Sequence, residues 1–532
     1  MTASDDLHAE GLALARAGRI AEAADRLERL VALAPEHARG WAMLGQLRLE
    51  LSDPRAALTA FDHAIALEPA RAANHLNRGA ALARLEDFAQ ALSSYDRALE
   101  LDPAMAQAHG NRAQALNELE RPDDAAAAAR AALALQPGHA AAWGHLGNAL
   151  YSLARYEEAL EAFRSGLAVR PGDYDALCNA GMALTALGRY GEAAAVLDAA
   201  VEARPAEGLA RYRRAHARLT VGDFGRGWAD YESRWSTPLF TRSSSGVVTP
   251  ETRSRLALAP RPADFEGQRV LVLAEQGIGD QILFASILPD LASVARGVTL
   301  ACDPRLVSLF RLSFPGVACV ANEDVPALDR EAFDLTVAIG SLPHAWRRDD
   351  SAFTGRPYLA PRTTATEGWK ARLAERPARR RIGISWRGGA KRTGAAARSL
   401  PLARLASALS GPGTELVSLQ YGDVEAEVEA ANAALDRPVR LFDPAEIDDF
   451  EDLAGLVCAL DLIVTVQTAV VHLSGALGRP ALVMVPKKPE WRYGAAGERM
   501  PWYGSVRLFR QASDEDWSPV LDRVAQAAAA MG

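Results

Sequence analysis

Residues 35–68 read PEHARGWAMLGQLRLELSDPRAALTAFDHAIALE, and residues 69–102 read PARAANHLNRGAALARLEDFAQALSSYDRALELD. Laid over one another, the two stretches match Pro35 with Pro69, Gly45 with Gly79, Ala57 with Ala91 and Phe61 with Tyr95. The register runs outward in both directions. Prolines recur at Pro35, Pro69, Pro103, Pro137, Pro171 and Pro205, a step of 34 residues. Small residues fall at Gly11, Gly45, Gly79, Ala113, Gly147 and Gly181, and a second small set at Ala23, Ala57, Ala91, Ala125, Ala159 and Ala193. Four residues after the second set stand Leu27, Phe61, Tyr95, Phe163 and Leu197, with Ala129 the exception. Small positions let two helices approach, the larger residue fills the space between neighbouring units, and the proline stops the second helix. One unit cannot bury its apolar face alone, so six stacked units and a partial seventh are expected to share a continuous core.

This is the tetratricopeptide pattern, a helix–turn–helix unit repeated along a solenoid. Solenoid curvature makes an extended binding surface, so the array reads as a groove for a protein or peptide, with a spacer or dimerisation element as the alternative. Asn77, Asn111, Asn148 and Asn179 lie on first helices of successive units, where they would hydrogen-bond an extended backbone or face solvent. The array is expected over residues 1–235, closing on GDFGRGWADYESRW at 222–235. There Trp228, Tyr231 and Trp235 share one helix face, a core seam that plugs the last repeat or docks the next domain. Residues 236–262 contain Ser, Thr and Pro without periodicity and read as a linker.

From Gln268 onward the pattern changes. RVLVLAE, GVTLAC, GVACV and FDLTVAIGS read as strands separated by helical stretches. After a Pro- and Arg-rich interval near 370–380 the alternation restarts with RIGISWRG, ELVSLQYG, VRLFD, LDLIVTV and PALVMVP. Alternating strands and helices argue for parallel sheets covered on both faces. The restart predicts two such sheets, over 263–375 and 376–532, with ligands outside the carboxyl ends of the strands.

Composition narrows the classes. Apolar residues are 49% and charged residues 24%, which excludes a wholly disordered chain. The formal charge of -8 argues against a binder of nucleic-acid backbones. Cys178, Cys302, Cys319 and Cys458 are scattered with no CxxC pair, which fits a reducing compartment. The start MTASDDLHAEG lacks a signal-peptide pattern, and the longest apolar stretch is broken by polar residues, so a cytoplasmic location without a membrane span is expected. No HExxH or Cys/His cluster is present, so no metal or resident cofactor is expected.

Four loops at strand ends carry chemistry. EQGIGDQ, 275–281, places Gly277 and Gly279 where a tight turn and close backbone approach are needed, and Asp280 at a helix start. Asp280 is either a general base for an acceptor hydroxyl or an N-cap. SWRGGAKRTGAAARS, 385–399, combines glycines with Arg387, Lys391, Arg392 and Arg398, which suits phosphate, or forms a solvated basic loop. TVQTAVVHLSGALG, 465–478, opens a helix near Thr468, whose free N–H groups favour an anion. His472, one turn on, would contact phosphate or sugar hydroxyls, or be structural. PKKPEWRYG, 486–494, adds Lys487, Lys488 and Arg492, with Trp491 stacking on a base or sugar or simply packing.

EQGIGDQILF, GISWRGG, ARSLPL, SLQYG, LDLIVTVQTAVVHLSGALG and PEWRYG through PWYGSVRLFRQ together resemble the two-domain GT-B glycosyltransferases related to bacterial heptosyltransferases. Over nearly its full length the chain resembles tetratricopeptide-fused enzymes of this kind, the FlmG-type flagellin glycosyltransferases. The resemblance implies an all-α tetratricopeptide solenoid followed by an α/β GT-B fold, two Rossmann-like domains facing across a cleft. It implies a metal-independent transferase that moves a sugar, such as pseudaminic acid from a CMP-linked donor, to Ser or Thr of flagellin held by the repeats. Asp280 matches the family's candidate base, and Thr468 and His472 match its D-T-A-x-x-H motif, in which Gln467 replaces the acid. That replacement suits an anionic donor or marks lost activity. Arg387 and Lys391 fall in the phosphate-loop region. The competing expectations are an interaction scaffold with a degenerate catalytic half, a UDP-sugar enzyme like protein O-GlcNAc transferase, and a transferase for a small glycan.

Overall fold

The computed structural model describes residues 3–237, 247–389, 398–443, 446–447, 449–513 and 516–531. The chain divides into two compact units, Met1–Arg204 and Pro205–Gly532.

The first unit is a series of helical hairpins: Ala3–Arg16 with Ile20–Leu33, Ala38–Glu50 with Pro54–Leu67, Ala72–Arg84 with Phe88–Leu101, Ala106–Glu118 with Pro122–Leu135, Ala140–Ser152 with Tyr156–Val169, and Tyr174–Ala186 with Tyr190–Ala203. Phe61, Tyr95 and Phe163 are buried against Gly45, Gly79 and Gly147. A Cβ at Gly147 would come 2.4 Å from Phe163 Cε1, so the ring's place depends on the missing side chain. Asp53, Asp87 and Asp173 cap second or first helices by accepting from backbone N–H groups three residues on. Proline carbonyls are used as well. Trp41 Nε1 donates to Pro35 O at 2.8 Å and Trp143 Nε1 to Pro137 O at 2.9 Å. The rings of His75 and His109 bond Pro69 O and Pro103 O, 2.8 and 3.0 Å away.

The turn inside each hairpin needs a left-handed residue. Gly18 and Gly188 meet this with φ of 73° and 75°. Ser52, Glu86, Glu120 and Ala154 occupy the equivalent positions with φ between 55° and 61°. A side chain in this region costs roughly 1 kcal/mol. Ala154→Gly is therefore expected to stabilise the array by up to about 1 kcal/mol, read as a higher denaturant midpoint. An unchanged or lower midpoint counts against strain at this turn.

The second unit begins earlier than the boundary at 235 read from the sequence. Its first hairpin, Gly208–Thr220 with Phe224–Tyr231, continues the repeat pattern but packs as part of this unit. The reason is the aromatic seam. Trp228 meets Trp491, Trp502 and Phe284 edge-on at 5.3–6.4 Å and donates Nε1–H to Arg347 O at 2.8 Å. Trp235 packs on the other face of the first sheet with Leu271 and Leu273.

Two sheets follow. β1 (Arg269–Leu273), β2 (Gly297–Cys302), β3 (Val317–Ala321) and β4 (Leu335–Ala338) form a parallel sheet in the order β3-β2-β1-β4. β5 (Arg380–Ser385), β6 (Thr414–Ser418), β7 (Leu462–Val466), β8 (Ala481–Val485), β9 (Arg499–Met500) and β10 (Tyr503–Arg510) form the second, in the order β6-β5-β7-β8-β10-β9. Only β9 runs antiparallel to its neighbour. Two readings change. VRLFD is no strand: it makes a single bridge, Arg440 to Val417, because Arg440 turns to Glu415 and Glu375 and Phe442 packs on Trp369. YGSVRLFR, broken by Gly, Ser and two arginines, is a strand beside β8. The described part of the 236–262 segment lies on the first sheet, where Leu256 bridges Thr336 at the edge beyond β4.

Chain order reverses between β1 and β4 in the first sheet and between β5 and β7 in the second. These are the points where open sheets take ligands. The loops after β1, β5 and β7, which the sequence marks, all leave from them.

Candidate functional site

The loop after β1 ends at Gly277, the N-cap of helix Ile278–Ala285. Gly277, not Asp280, holds the capping position, so Asp280 is free for another partner. It pairs with Arg492 Nε, from the loop after β8. Arg492 also reaches Glu490 Oε2 at 2.7 Å, and Glu490 Oε1 accepts from Arg398 at 2.6 Å. A chain of alternating charges, Asp280–Arg492–Glu490–Arg398, thus joins the two sheets. Burial pushes the Asp280 carboxyl above its ordinary range, and Arg492 offsets part of that. Burial opposes the Arg492 charge, but Asp280 and Glu490 more than restore it.

The facing wall is helix Ala469–Ala476 after β7, capped by Thr468, whose side chain accepts from Val470 N–H. Gly279 lies against it: a Cβ there would be 3.0 Å from His472 Cδ2. Gly277 has a negative φ and open space around it, so nothing in its surroundings demands a glycine. Burial, with a smaller push from Arg492, takes the His472 imidazole down to about 3, so it is neutral near pH 7. Its Nδ1 meets Tyr503 OH at 3.3 Å. Tyr503 sits on the helix because Gly475 leaves room: a Cβ there would fall 2.2 Å from its ring.

Gln467, immediately before the cap, is 2% exposed, and neither its amide N nor its amide O has a hydrogen-bond partner among the described residues. Leaving such a group dry costs about 1–3 kcal/mol. An unsatisfied amide beside a helix N-terminus is a place for a polar or anionic ligand.

Other expected residues stand elsewhere. Arg387 turns to the loop after β6, donating to Asp423 O at 2.8 Å and approaching Glu427 at 3.6 Å. Arg398 joins the charge chain through Glu490 instead, with Gln467 O at 3.5 Å. Lys391 and Arg392 lie outside the described residues. Trp491 is 6% exposed and belongs to the aromatic core with Trp228 and Phe284, so its ring is not open to a base or sugar. In the first unit Asn179 donates to Asn148 at 2.9 Å, and Asn111 bonds the Tyr95 hydroxyl. Those three amides tie the array together. Asn77 is half-buried and makes no hydrogen bond among the described residues.

Sequence reasoning passed over a network beneath the first loop. Arg234 is 0% exposed. It pairs with Glu232 at 2.6 Å and Glu275 at 3.2 Å and donates to Ser341 at 2.8 Å. Tyr231 and Gln276 hydrogen-bond side by side with it. The Arg in ESRW gave no motif, and only its place between Tyr231 and Trp235 of the aromatic seam bears on its burial.

Among the described residues no helix is long and apolar enough to cross a membrane, and no three His, Cys, Asp or Glu side chains gather as a metal site.

The tetratricopeptide repeat family model matches residues 8–72, 42–106, 76–140, 111–174 and 145–208. The first unit is a tetratricopeptide repeat array. Protein FlbA of Caulobacter vibrioides is 30% identical to the chain over 337 residues, 60% of this chain and 54% of the relative. The chain thus spans about half the length of that curated relative, and the matched share is too long to lie in the repeats alone. Solved structures similar to parts of the chain include a thermophilic tetratricopeptide protein of Thermus thermophilus (24% identity, TM-score 0.29, 34% of this chain and 99% of that one). Another is a tetratricopeptide repeat protein of Parabacteroides merdae (16% identity, TM-score 0.38, 44% of this chain and 93% of that one).

Proposed function

We propose that the chain is a protein O-glycosyltransferase: its repeats recruit a polypeptide, flagellin by the resemblance set out above, and its second unit, read as a GT-B pair of Rossmann-like domains, transfers a sugar to Ser or Thr. The observation that carries this reading is the meeting of Gly279 with His472, on segments that leave β1 and β7 at the switch points of the two sheets, and of Asp280 with Arg492 from the loop after β8.

In this reading the donor's phosphate lies at the N-terminus of helix Ala469–Ala476, within reach of Arg398 and Arg492. When phosphate draws Arg492 away, the Asp280 carboxylate is released. The acceptor oxygen then bonds to the anomeric carbon, the carbon–oxygen bond to phosphate breaks, and the nucleotide leaves with the electron pair. Asp280 takes the hydroxyl proton. Cations and helix N–H groups stabilise the departing phosphate, the role a metal plays elsewhere. Gln467 supports an acidic donor such as a CMP-linked nonulosonic acid: its unpaired N–H groups suit a carboxylate, which the acid of the family motif would repel.

An interaction scaffold is the second reading, favoured by Gln467 and by the pairing that occupies Asp280. Thermal shift with CMP, UDP, GDP and ADP separates them. CMP at a hundredfold over its Kd should add about 2.7 kcal/mol of stability and the others little. A response to UDP alone favours the O-GlcNAc-transferase-like reading, and no response to any nucleotide favours the scaffold. Intact mass of flagellin incubated with the chain and CMP-pseudaminic acid tests transfer directly.

A further inference from the structure

A line of hydroxyls runs from helix Ile278–Ala285 to His472. Tyr358 OH lies 2.7 Å from Ile282 O and 3.3 Å from Tyr503 OH, and Tyr503 OH lies 3.3 Å from His472 Nδ1. The protons can be counted. A backbone carbonyl only accepts, so the single Tyr358 proton goes to Ile282 O. Tyr358 oxygen must then accept from Tyr503, which spends the only proton Tyr503 has. Tyr503 oxygen in turn must accept, and the remaining neighbour is His472 Nδ1, which therefore carries its hydrogen. This is the one assignment in which all three contacts are hydrogen bonds. Any other leaves two lone pairs facing one another in a buried site.

We propose that Tyr358 and Tyr503 fix His472 as its Nδ1–H tautomer, so that Nε2 offers a lone pair to a hydroxyl of the substrate. Nε2 has no hydrogen-bond partner among the described residues and lies on the Gly279 side of the ring, 3.7 Å from where a Cβ on Gly279 would stand. The charged groups nearest the ring are Arg492 and, through it, Asp280 and Glu490. A bare nitrogen has no proton for a phosphate oxygen. This narrows His472, read from the sequence as a contact to phosphate or to sugar hydroxyls, to hydroxyl contact, and makes Tyr503 and Tyr358 positioning residues that act through it. The choice of hydroxyl as ligand rests on the transferase reading; the tautomer does not.

The test is nitrogen NMR of the full chain with labelled histidine, His472 being assigned by its loss in His472→Gln. The expected pattern is a protonated-type Nδ1 and an unprotonated-type Nε2. The reverse pattern overturns the proposal whatever the chain's activity. Tyr358→Phe should free the Tyr503 proton for His472 and move the pattern toward Nε2–H; an unchanged pattern overturns the relay. Titrating inorganic phosphate should leave the Nε2 resonance in place, and protonation of Nε2 on phosphate binding overturns the narrowing to hydroxyl. CMP-pseudaminic acid alone and flagellin alone tell whose hydroxyl it is. If neither moves Nε2 while intact mass shows transfer, the hydroxyl contact is wrong and the transferase reading stands.

Discussion

Asp280→Asn is expected to lower glycosyl transfer by about a hundredfold to ten-thousandfold, the range for removing a positioned general base. Asn keeps an oxygen that can accept from Arg492, so the link between the two sheets survives without the basic oxygen. The thermal response to CMP should therefore stay near that of the parent chain. Intact mass of the acceptor over time gives the rate, and nucleotide-dependent unfolding gives the control. Transfer at the parent rate rejects Asp280 as base. Loss of both transfer and nucleotide response means the variant damages the crevice itself, and Asp280→Glu then serves as the rescue. Burial raises the Asp280 carboxyl, and in the proposed mechanism this makes it a better proton acceptor once Arg492 has moved to phosphate.

Arg234→Met is expected to remove roughly 3–5 kcal/mol from the second unit, the cost of leaving buried carboxylates without their cation. No discount for solvent applies, since Arg234 is 0% and Glu275 1% exposed. At ~2–4 °C per kcal/mol, the unfolding midpoint of this unit should fall by roughly 6–20 °C while the repeat transition holds. The sign with pH follows from Glu275. Burial raises its folded-state pKa, with Arg234 opposing. A carboxyl raised on folding costs stability as pH climbs through its unfolded value, and the variant enlarges that cost. The deficit should thus shrink as pH is lowered from about 7 toward about 5. A deficit under about 1 kcal/mol, or one that grows on acidification, contradicts the view that this guanidinium holds the loop before Asp280.

Much of the architecture was legible because it repeats. A fixed interval puts Gly79 opposite Tyr95 and Gly147 opposite Phe163, and no tertiary information is needed to see it. The loops after β1 and β7 were legible because glycine and polar residues interrupt apolar runs at strand ends. What the sequence hid is set by distance. Arg398, Glu490 and Arg492 meet Asp280 from the other sheet, and nothing local in those segments announces the contact. Trp491 beside a run of cations looks like a stacking platform, yet its ring was needed to close a core with Trp228. Tyr358 and Tyr503 are ordinary aromatic residues until the chain brings their hydroxyls into line.

The proline-carbonyl contacts of the array have one gap. Trp41, His75, His109 and Trp143 each reach back to the carbonyl six residues earlier, whereas the corresponding Leu177 has no side-chain donor to offer Pro171. Joints with that tether resist splaying; the untethered one rests on apolar contact, the Asp173 cap and the exposed Arg170–Asp173 pair. Under load, the solenoid should yield there first, a built-in point of compliance in an otherwise stiff spring.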